Sequence, residues 1–254
     1  MSLELLRLMP IRQTTKQGFF MDNSQASTAY MSNRSKSSTP NFIEGGMVKI
    51  ETVIPRWERG KISTLGATPL TVRPKKGYTD YYFPWVNDGV GWVKVPYDAP
   101  VGTIVTTDGM NGCALQVHRS GDDLYFYHDA NSCSMGNIGV KTVGKRIFRV
   151  TTDDMVNSKL ANKEALDTTP KVAPTKDYNP SRYWFIQLIC VRHKTGKWYI
   201  VRSSIMHTVK MISSKKERSK KQIIPVRLFD PIRRPGPLPM EYPNFIGELP
   251  TNNS

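Results

Sequence analysis

Cysteine is scarce in this chain: Cys113, Cys133 and Cys190 are the only three in 254 residues. Three thiols cannot build a framework of paired bridges. None stands in a Cys-x-x-Cys or Cys/His spacing suited to zinc, so disulfide-stapled and zinc-structured domains are both excluded. Long apolar runs are missing as well. The most apolar stretch, residues 183–191, stops at Arg192 and His193, well short of the roughly 18 residues a helical membrane span needs. The first ten residues carry Glu4 and Arg7 and no apolar centre, which argues against a cleaved signal peptide. Several chemistry-bearing motifs are also absent: a Gly-x-Ser-x-Gly elbow, a phosphate-cradling loop ending in Gly-Lys-Ser/Thr, a dinucleotide fingerprint and His-Glu-x-x-His. Serine hydrolase, NTPase, nicotinamide enzyme and zinc protease lose their support together.

Acidic residues are outnumbered: 21 Asp+Glu face 36 Lys+Arg, a formal net charge of +15. The excess is concentrated. Between Arg192 and Lys221 stand ten Lys/Arg against the single Glu217, with Lys215, Lys216, Arg218, Lys220 and Lys221 the densest part. Such a run suits nucleic-acid phosphates, a nuclear address or an acidic protein surface, or is simply a solvated face. No aromatic RNA-binding signature in a basic glycine frame accompanies it.

Length and a 39% hydrophobic content suit one domain with loose ends. Residues 13–41 are rich in Ser, Thr, Asn and Gln, so ordering them costs more entropy than their contacts return. The expected organisation is a flexible arm at 1–41, a single β-rich domain at 42–232 and a Pro-rich tail at 233–254. A polar loop at 167–180, spaced by Pro170, Pro174 and Pro180, falls inside the domain. The tail, with five prolines from Pro235 to Pro250, is expected to lie extended over the domain or hang free.

Short aromatic or β-branched runs bounded by Gly, Pro, Asn or Asp predict strands at 48–54, 81–85, 91–95, 103–107, 113–118, 124–128, 146–151, 183–192 and 197–201. Helices are predicted at 152–166, after the acidic start Asp153-Asp154, and at 203–212. The fold class is α+β: a mainly antiparallel sandwich or sheet flanked by a few helices.

The chemistry lies in Thr107-Asp108-Gly109-Met110-Asn111-Gly112-Cys113, followed by two alternating strands around Ser120-Gly121 and ending at His128. With Ser120-Gly121 as a two-residue loop, Cys113 falls directly opposite His128, Leu115 opposite Phe126 and Val117 opposite Leu124. Cys113 and His128 then share the buried face. Moving the loop to Gly121-Asp122 leaves the two as diagonal neighbours on that face, about 7 to 8 Å apart between backbones. His118 falls on the other face, against Asp123. A cysteine opening an apolar strand, or a histidine closing one, is ordinary by itself; the registered pair after a glycine turn is not. A thiol with a pKa near roughly 8.5 is mostly protonated at neutral pH, and a neighbouring imidazolium stabilises its anion. Cys113 is therefore the candidate nucleophile and His128 its base, with turn N–H groups around Gly112 as oxyanion donors. Cys133, in a polar loop without a periodic link to any base, ranks second.

This hairpin resembles the active-site segment of the cytotoxic necrotizing factor type of bacterial toxin and of the related Burkholderia lethal factor type. There a Leu-Ser-Gly-Cys motif supplies the nucleophile and a His on the adjoining strand its base. Met110-Asn111-Gly112-Cys113 occupies that motif, matching at Gly112 and Cys113, and Thr107 corresponds to a Thr of the lethal-factor site. The resemblance implies a compact α/β sandwich with no metal or organic cofactor. It also implies deamidation of a glutamine on a host protein, a Rho-type GTPase or a translation-initiation helicase, by an injected or secreted bacterial effector in the host cytosol. Transglutamination shares the first half-reaction. Two rivals remain: a non-catalytic basic module that binds nucleic acid through Arg192 to Lys221, and a Cys protease using the same pair.

Overall fold

A computed structural model describes residues 2–16, 18–32, 39–52, 67–167, 179–211, 223–228 and 244–250. In chain order the elements begin with α1 (Leu3–Leu8), α2 (Pro10–Lys16), β1 (Gly18–Asp22), α3 (Ser24–Met31), β2 (Phe42–Glu44), β3 (Gly46–Thr52) and β4 (Ala67–Pro74). The centre holds β5 (Asp80–Phe83), β6 (Val90–Pro96), β7 (Ile104–Thr107), β8 (Ala114–Ser120), β9 (Asp123–Asp129), α4 (Ser134–Asn137) and β10 (Lys145–Thr151). Then come α5 (Thr152–Met155), α6 (Ser158–Asp167), β11 (Asn179–Arg192), β12 (Trp198–Met211), β13 (Ile223–Leu228) and β14 (Phe245–Glu248). All nine predicted strands are present, and the fold is α+β as expected.

The strands form two sheets. A nine-stranded sheet runs β1-β4-β3-β5-β7-β11-β12-β13, with β14 also paired to β12, and a five-stranded sheet runs β10-β8-β9-β6-β2. One core fills the space between them, with Leu115, Val117, Phe126 and Val95 from the small sheet meeting Val105, Trp184, Leu188 and Trp198 from the large one. The opposite face of the large sheet buries a second core of Val48, Leu70, Tyr82, Ile104 and Ile189 beneath Leu6 of α1, Phe19 and Met21 of β1, and Ala26 of α3. Strand β11 shows why residues 183–191 read as a continuous apolar run. Trp184, Ile186, Leu188 and Cys190 face the sandwich core while Ile189 and Val191 face the second one, so both sides of the strand are covered.

Three expectations are corrected. Residues 13–41 were expected to be a disordered arm, but α2, β1 and α3 lie there, with β1 paired in parallel to β4. Phe19 and Met21, flanked by polar residues in the sequence, are fully or almost fully buried. The backbone of β1 is satisfied from the sheet beneath. The Gln187 side chain accepts from Met21 N at 2.7 Å and donates to Met21 O at 2.7 Å, and Ser203 Oγ accepts from Phe19 N at 3.1 Å. Polar composition here marks hydrogen-bonding partners for a covering layer rather than disorder. Arg7 anchors the same layer through a two-pronged pair with the buried Asp80, both contacts at 2.6 Å.

The second correction concerns 203–212, expected to be helical. Residues 203–211 continue β12, which pairs with β11 along its whole length from Arg192↔Trp198 to Asn179↔Met211, and Ile212 lies outside the described residues. A long hairpin partner overrides a local helical spacing. The predicted helix at 152–166 does form, but in two pieces. A Thr151–Asp154 capping box starts α5, and Val156, in an extended conformation, separates it from α6. Third, His118 is buried rather than at the surface. It lies opposite Tyr125 and edge-on to Tyr127, with ring centroids 4.9 Å apart, while Asp123 pairs with Lys94 at 2.7 Å. Of the tail, the described residues include β14, which lies extended along β12.

Candidate active site

The site sits at one end of the sandwich, where the chain crosses from one sheet to the other. Strands β5 and β7 run parallel and finish together, Phe83 beside Thr107. Residues 108–113 then carry the chain over to β8, whose partner β9 ends nearby at His128 and Asp129. Gly112 makes this crossing with φ +84°, and a Cβ there would meet nothing within 4 Å. The glycine is thus required by backbone conformation rather than by space. Met110 fastens the crossing by exchanging backbone hydrogen bonds with Ile186 of β11 at 2.7 and 2.9 Å.

The β8–β9 turn is Gly121-Asp122, with Gly121 at φ +59° and Ser120 opposite Asp123. The Ser120-Gly121 register is therefore corrected by two residues: Leu115, not Cys113, is directly opposite His128. The shift preserves the face, as an even shift must. Cys113, two residues before Leu115, joins the same inter-sheet core and is the diagonal neighbour of His128.

Thr107 ties the two sheets together here. Its Oγ1 donates to Phe83 O at 2.7 Å and lies 2.7 Å from His128 Nδ1. A hydroxyl has one proton, and a carbonyl can only accept. With that proton committed to Phe83, Thr107 accepts from His128, which puts the imidazole proton on Nδ1. Nε2 is left with its lone pair, and it is buried without a hydrogen-bond partner among the described residues. His128 is fully buried, and burial holds its pKa down to about 3. It is a neutral imidazole with an unprotonated Nε2.

The Cys113 thiol is pushed up by burial, pulled back by hydrogen bonding from the Asn131 and Asn111 backbones, raised by the charge of Asp129, and lowered again by the Trp85 side chain. The net direction is upward. An imidazolium-stabilised thiolate, expected from the sequence, is thus replaced by a pair that is neutral on both sides at rest. A second expectation changes too. The Cys113 backbone N–H is used by Thr152 Oγ1 at 3.1 Å, and Cys113 O accepts from both Thr152 N and Thr152 Oγ1 at 2.9 and 3.0 Å. That amide is committed to anchoring α5 and is not an open oxyanion donor.

Two residues that pull the Cys113 thiol back down, Trp85 at the end of the predicted 81–85 strand and Asn131, had no link to it in the sequence pattern. Cys133 is exposed, its sulfur 3.7 Å from Asn137 Nδ2, and Cys190 is buried among apolar side chains. Lys215, Lys216, Arg218, Lys220 and Lys221 lie outside the described residues. The described part of the basic run is no continuous stripe. Arg202 is buried and donates to Met155 O, Lys197 pairs with Glu248 at 2.9 Å, and Arg192 lies over the Tyr97 ring at 5.4 Å. Among the described residues, no group of three or more His, Cys, Asp or Glu is placed to hold a metal ion.

The fold and site together define a two-sheet α+β sandwich with a buried Thr-His pair and a cysteine at one end. No family profile and no curated protein matches the chain. Among solved structures it is similar to the C-terminal domain of CNFy from Yersinia pseudotuberculosis, at 12% identity and a TM-score of 0.22, over 59% of this chain and 61% of that domain. At that TM-score the likeness is weak. It assigns no role to any residue.

Proposed function

We propose that the chain is a cysteine-dependent protein-glutamine deamidase of bacterial toxin type. The observation that carries this reading is the Thr107–His128 hydrogen bond. It presents an unprotonated Nε2 on the face shared with Cys113, the arrangement a general base needs beside a thiol. In this reading His128 Nε2 takes the Cys113 proton as the sulfur attacks the glutamine carboxamide carbon. The carbonyl electrons move to oxygen, and the turn amide of Gly112 is the donor assigned to that oxyanion. The imidazolium returns its proton to the departing nitrogen, ammonia leaves, and a thioester remains. Water, deprotonated by the same Nε2, hydrolyses the thioester to glutamate and frees the thiol. An amine in place of water gives transglutamination.

The neutral resting pair suits this chemistry: charge appears only during attack, in a site walled by the inter-sheet core. The proposed substrate is a glutamine on a host protein, in the Rho-type GTPase or translation-initiation helicase class, and the proposed place of action is the host cytosol. No cofactor enters the mechanism. The test is incubation of host-cell lysate with wild type and with Cys113→Ala, followed by peptide mass spectrometry. A glutamine converted to glutamate only by the wild type supports the reading. Backbone cleavage, or no Cys113-dependent change with folded protein, overturns it.

A further inference from the structure

Thr107 fixes the tautomer of His128, and its own position has to be held in turn. A hydroxyl bonded at 2.7 Å on two sides, to Phe83 O and to His128 Nδ1, tolerates little displacement before one of the bonds is lost. Thr107 is the last residue of β7 and is buried, so its backbone must find partners where the strand runs out. One of them comes from the covering layer. Asn23, the residue between β1 and α3, is itself buried, and its Nδ2 donates to Thr107 O at 2.8 Å. A carbonyl can only accept, so this contact also fixes which way the amide points.

Asp108, the next residue in the chain, holds the other end of the hydroxyl's hydrogen bond. Its Oδ2 accepts from Tyr82 Oη at 2.6 Å and from Trp85 N at 2.8 Å. Tyr82 and Trp85 bracket Phe83 and Pro84, and Phe83 O is the acceptor of the Thr107 hydroxyl. The stretch that carries this acceptor is therefore tied on both sides to the residue that follows Thr107. It is also seated beside the histidine. Pro84 lies so close over β6 that a Cβ on Gly91 would fall 1.7 Å from Pro84 O, and Gly91 is the β6 residue opposite His128. Glycine there lets residues 82–85 close down on that strand.

We infer that Asn23 and Asp108 are positioning residues of the site: Asn23 fixes the backbone of Thr107, Asp108 fixes the Phe83 carbonyl, and together they keep the Thr107 hydroxyl where it accepts from His128 Nδ1 and leaves Nε2 unprotonated. Neither acts on the reacting atoms. Both act through Thr107, whose bonds to Phe83 and His128 are short enough to be lost on a small shift of either partner. The N-terminal layer thus does more than cover the second core, because Asn23 links it to the base from 84 positions away in the sequence. The inference rests on the deamidase reading for its effect on rate alone; the tautomer it concerns belongs to the resting protein.

The test combines the ring ¹⁵N spectrum of the histidine-labelled protein at pH 7, which reads the His128 tautomer without any substrate, with glutamine conversion in host-cell lysate followed by peptide mass spectrometry. The proteins compared are wild type, Asn23→Leu, Asp108→Ala, Asp108→Asn and Tyr82→Phe. Asn23→Leu keeps the side chain's approximate shape and loses its donor, and Asp108→Ala loses the acceptor. Both are expected to show His128 sampling its two neutral tautomers and conversion about tenfold slower, the scale of a displaced base. Asp108→Asn, whose amide oxygen still accepts from Tyr82 and Trp85, restores the wild-type tautomer and rate. Tyr82→Phe removes one oxygen and moves both readouts the same way by less; should the larger changes fail to fold, it decides alone. A single Nδ1-protonated His128 in the folded variants overturns the inference even where their melting temperatures fall, since a merely structural role moves only the melt. A mixed tautomer in the variants, with no glutamine converted by the wild type, overturns the deamidase reading alone.

Discussion

Cys113 and Cys190 belong to one hydrophobic core and differ in what surrounds them. Cys190 sits in the middle of β11, where burial alone acts and pushes its thiol far above its ordinary range. Cys113 sits where the chain leaves one sheet for the other, with a neutral imidazole on its face and hydrogen bonding from neighbouring groups that pulls its thiol part of the way back down. The first is packing. The second combines the same burial with groups able to take a proton and to hold a charge. Burial of a cysteine therefore says little about reactivity; the ends of strands, where the backbone is not consumed by the ladder, supply the difference.

The comparison breaks most sharply on the nucleophile. Cys113→Ala is expected to abolish glutamine conversion, measured by peptide mass spectrometry. Cys190→Ala is expected to retain the activity and lose about 1 to 2 kcal/mol of stability in a denaturant titration, the cost of a small core cavity. Next in size is the tautomer lock. Thr107→Val removes the acceptor for His128 Nδ1–H and the donor to Phe83 O together. Conversion should fall about a hundredfold, the scale of a general base, with a loss of about 1 to 3 kcal/mol for the unsatisfied buried groups. Thr107→Ser should restore both.

A smaller and broader effect follows from His128 being held neutral. The unfolded chain takes up a proton on His128 as pH falls below its ordinary 6.5, whereas the folded chain resists until about 3. Stability attributable to this residue should decline on acidification through that window, by on the order of 1.4 kcal/mol per pH unit at most. Asp108 and Asp129, both raised by burial, act in the opposite sense. The difference in denaturation midpoint between wild type and His128→Gln across pH 4 to 7 isolates the histidine. Smallest of all, Cys133→Ser should leave both conversion and melting temperature unchanged, since that thiol is exposed.

Much of this contrast was legible in the sequence. Alternation after the Gly112 turn put Cys113 and His128 on one buried face, and an even-numbered slip of the hairpin turn could not separate them. Thr107 was within view only as a matched position; its bonding depends on β5 and β7 ending together, which no local pattern encodes. Trp85 and Asn131 were invisible for the same reason, because the turns that hold them have no period. The covering layer was misread because Phe19 and Met21 are too few to mark a segment as ordered. What holds them is Gln187 and Ser203, more than 160 residues away. Strand β4 carries Pro69 and Pro74 within its eight residues and lacks an unbroken β-branched run, and the end of β12 reads locally as helix because its strand partner lies across a hairpin.

The central claim is a neutral Cys113–His128 pair whose imidazole proton is fixed on Nδ1 by Thr107. The measurement that bears on it most directly is the ring ¹⁵N spectrum of the histidine-labelled protein, which has four histidines to assign, recorded on wild type and Thr107→Val from pH 7 down to 4. The predicted result is a His128 with protonated Nδ1 and bare Nε2 across that range, losing this fixed tautomer in Thr107→Val. An imidazolium at pH 7, or a proton on Nε2, would contradict it.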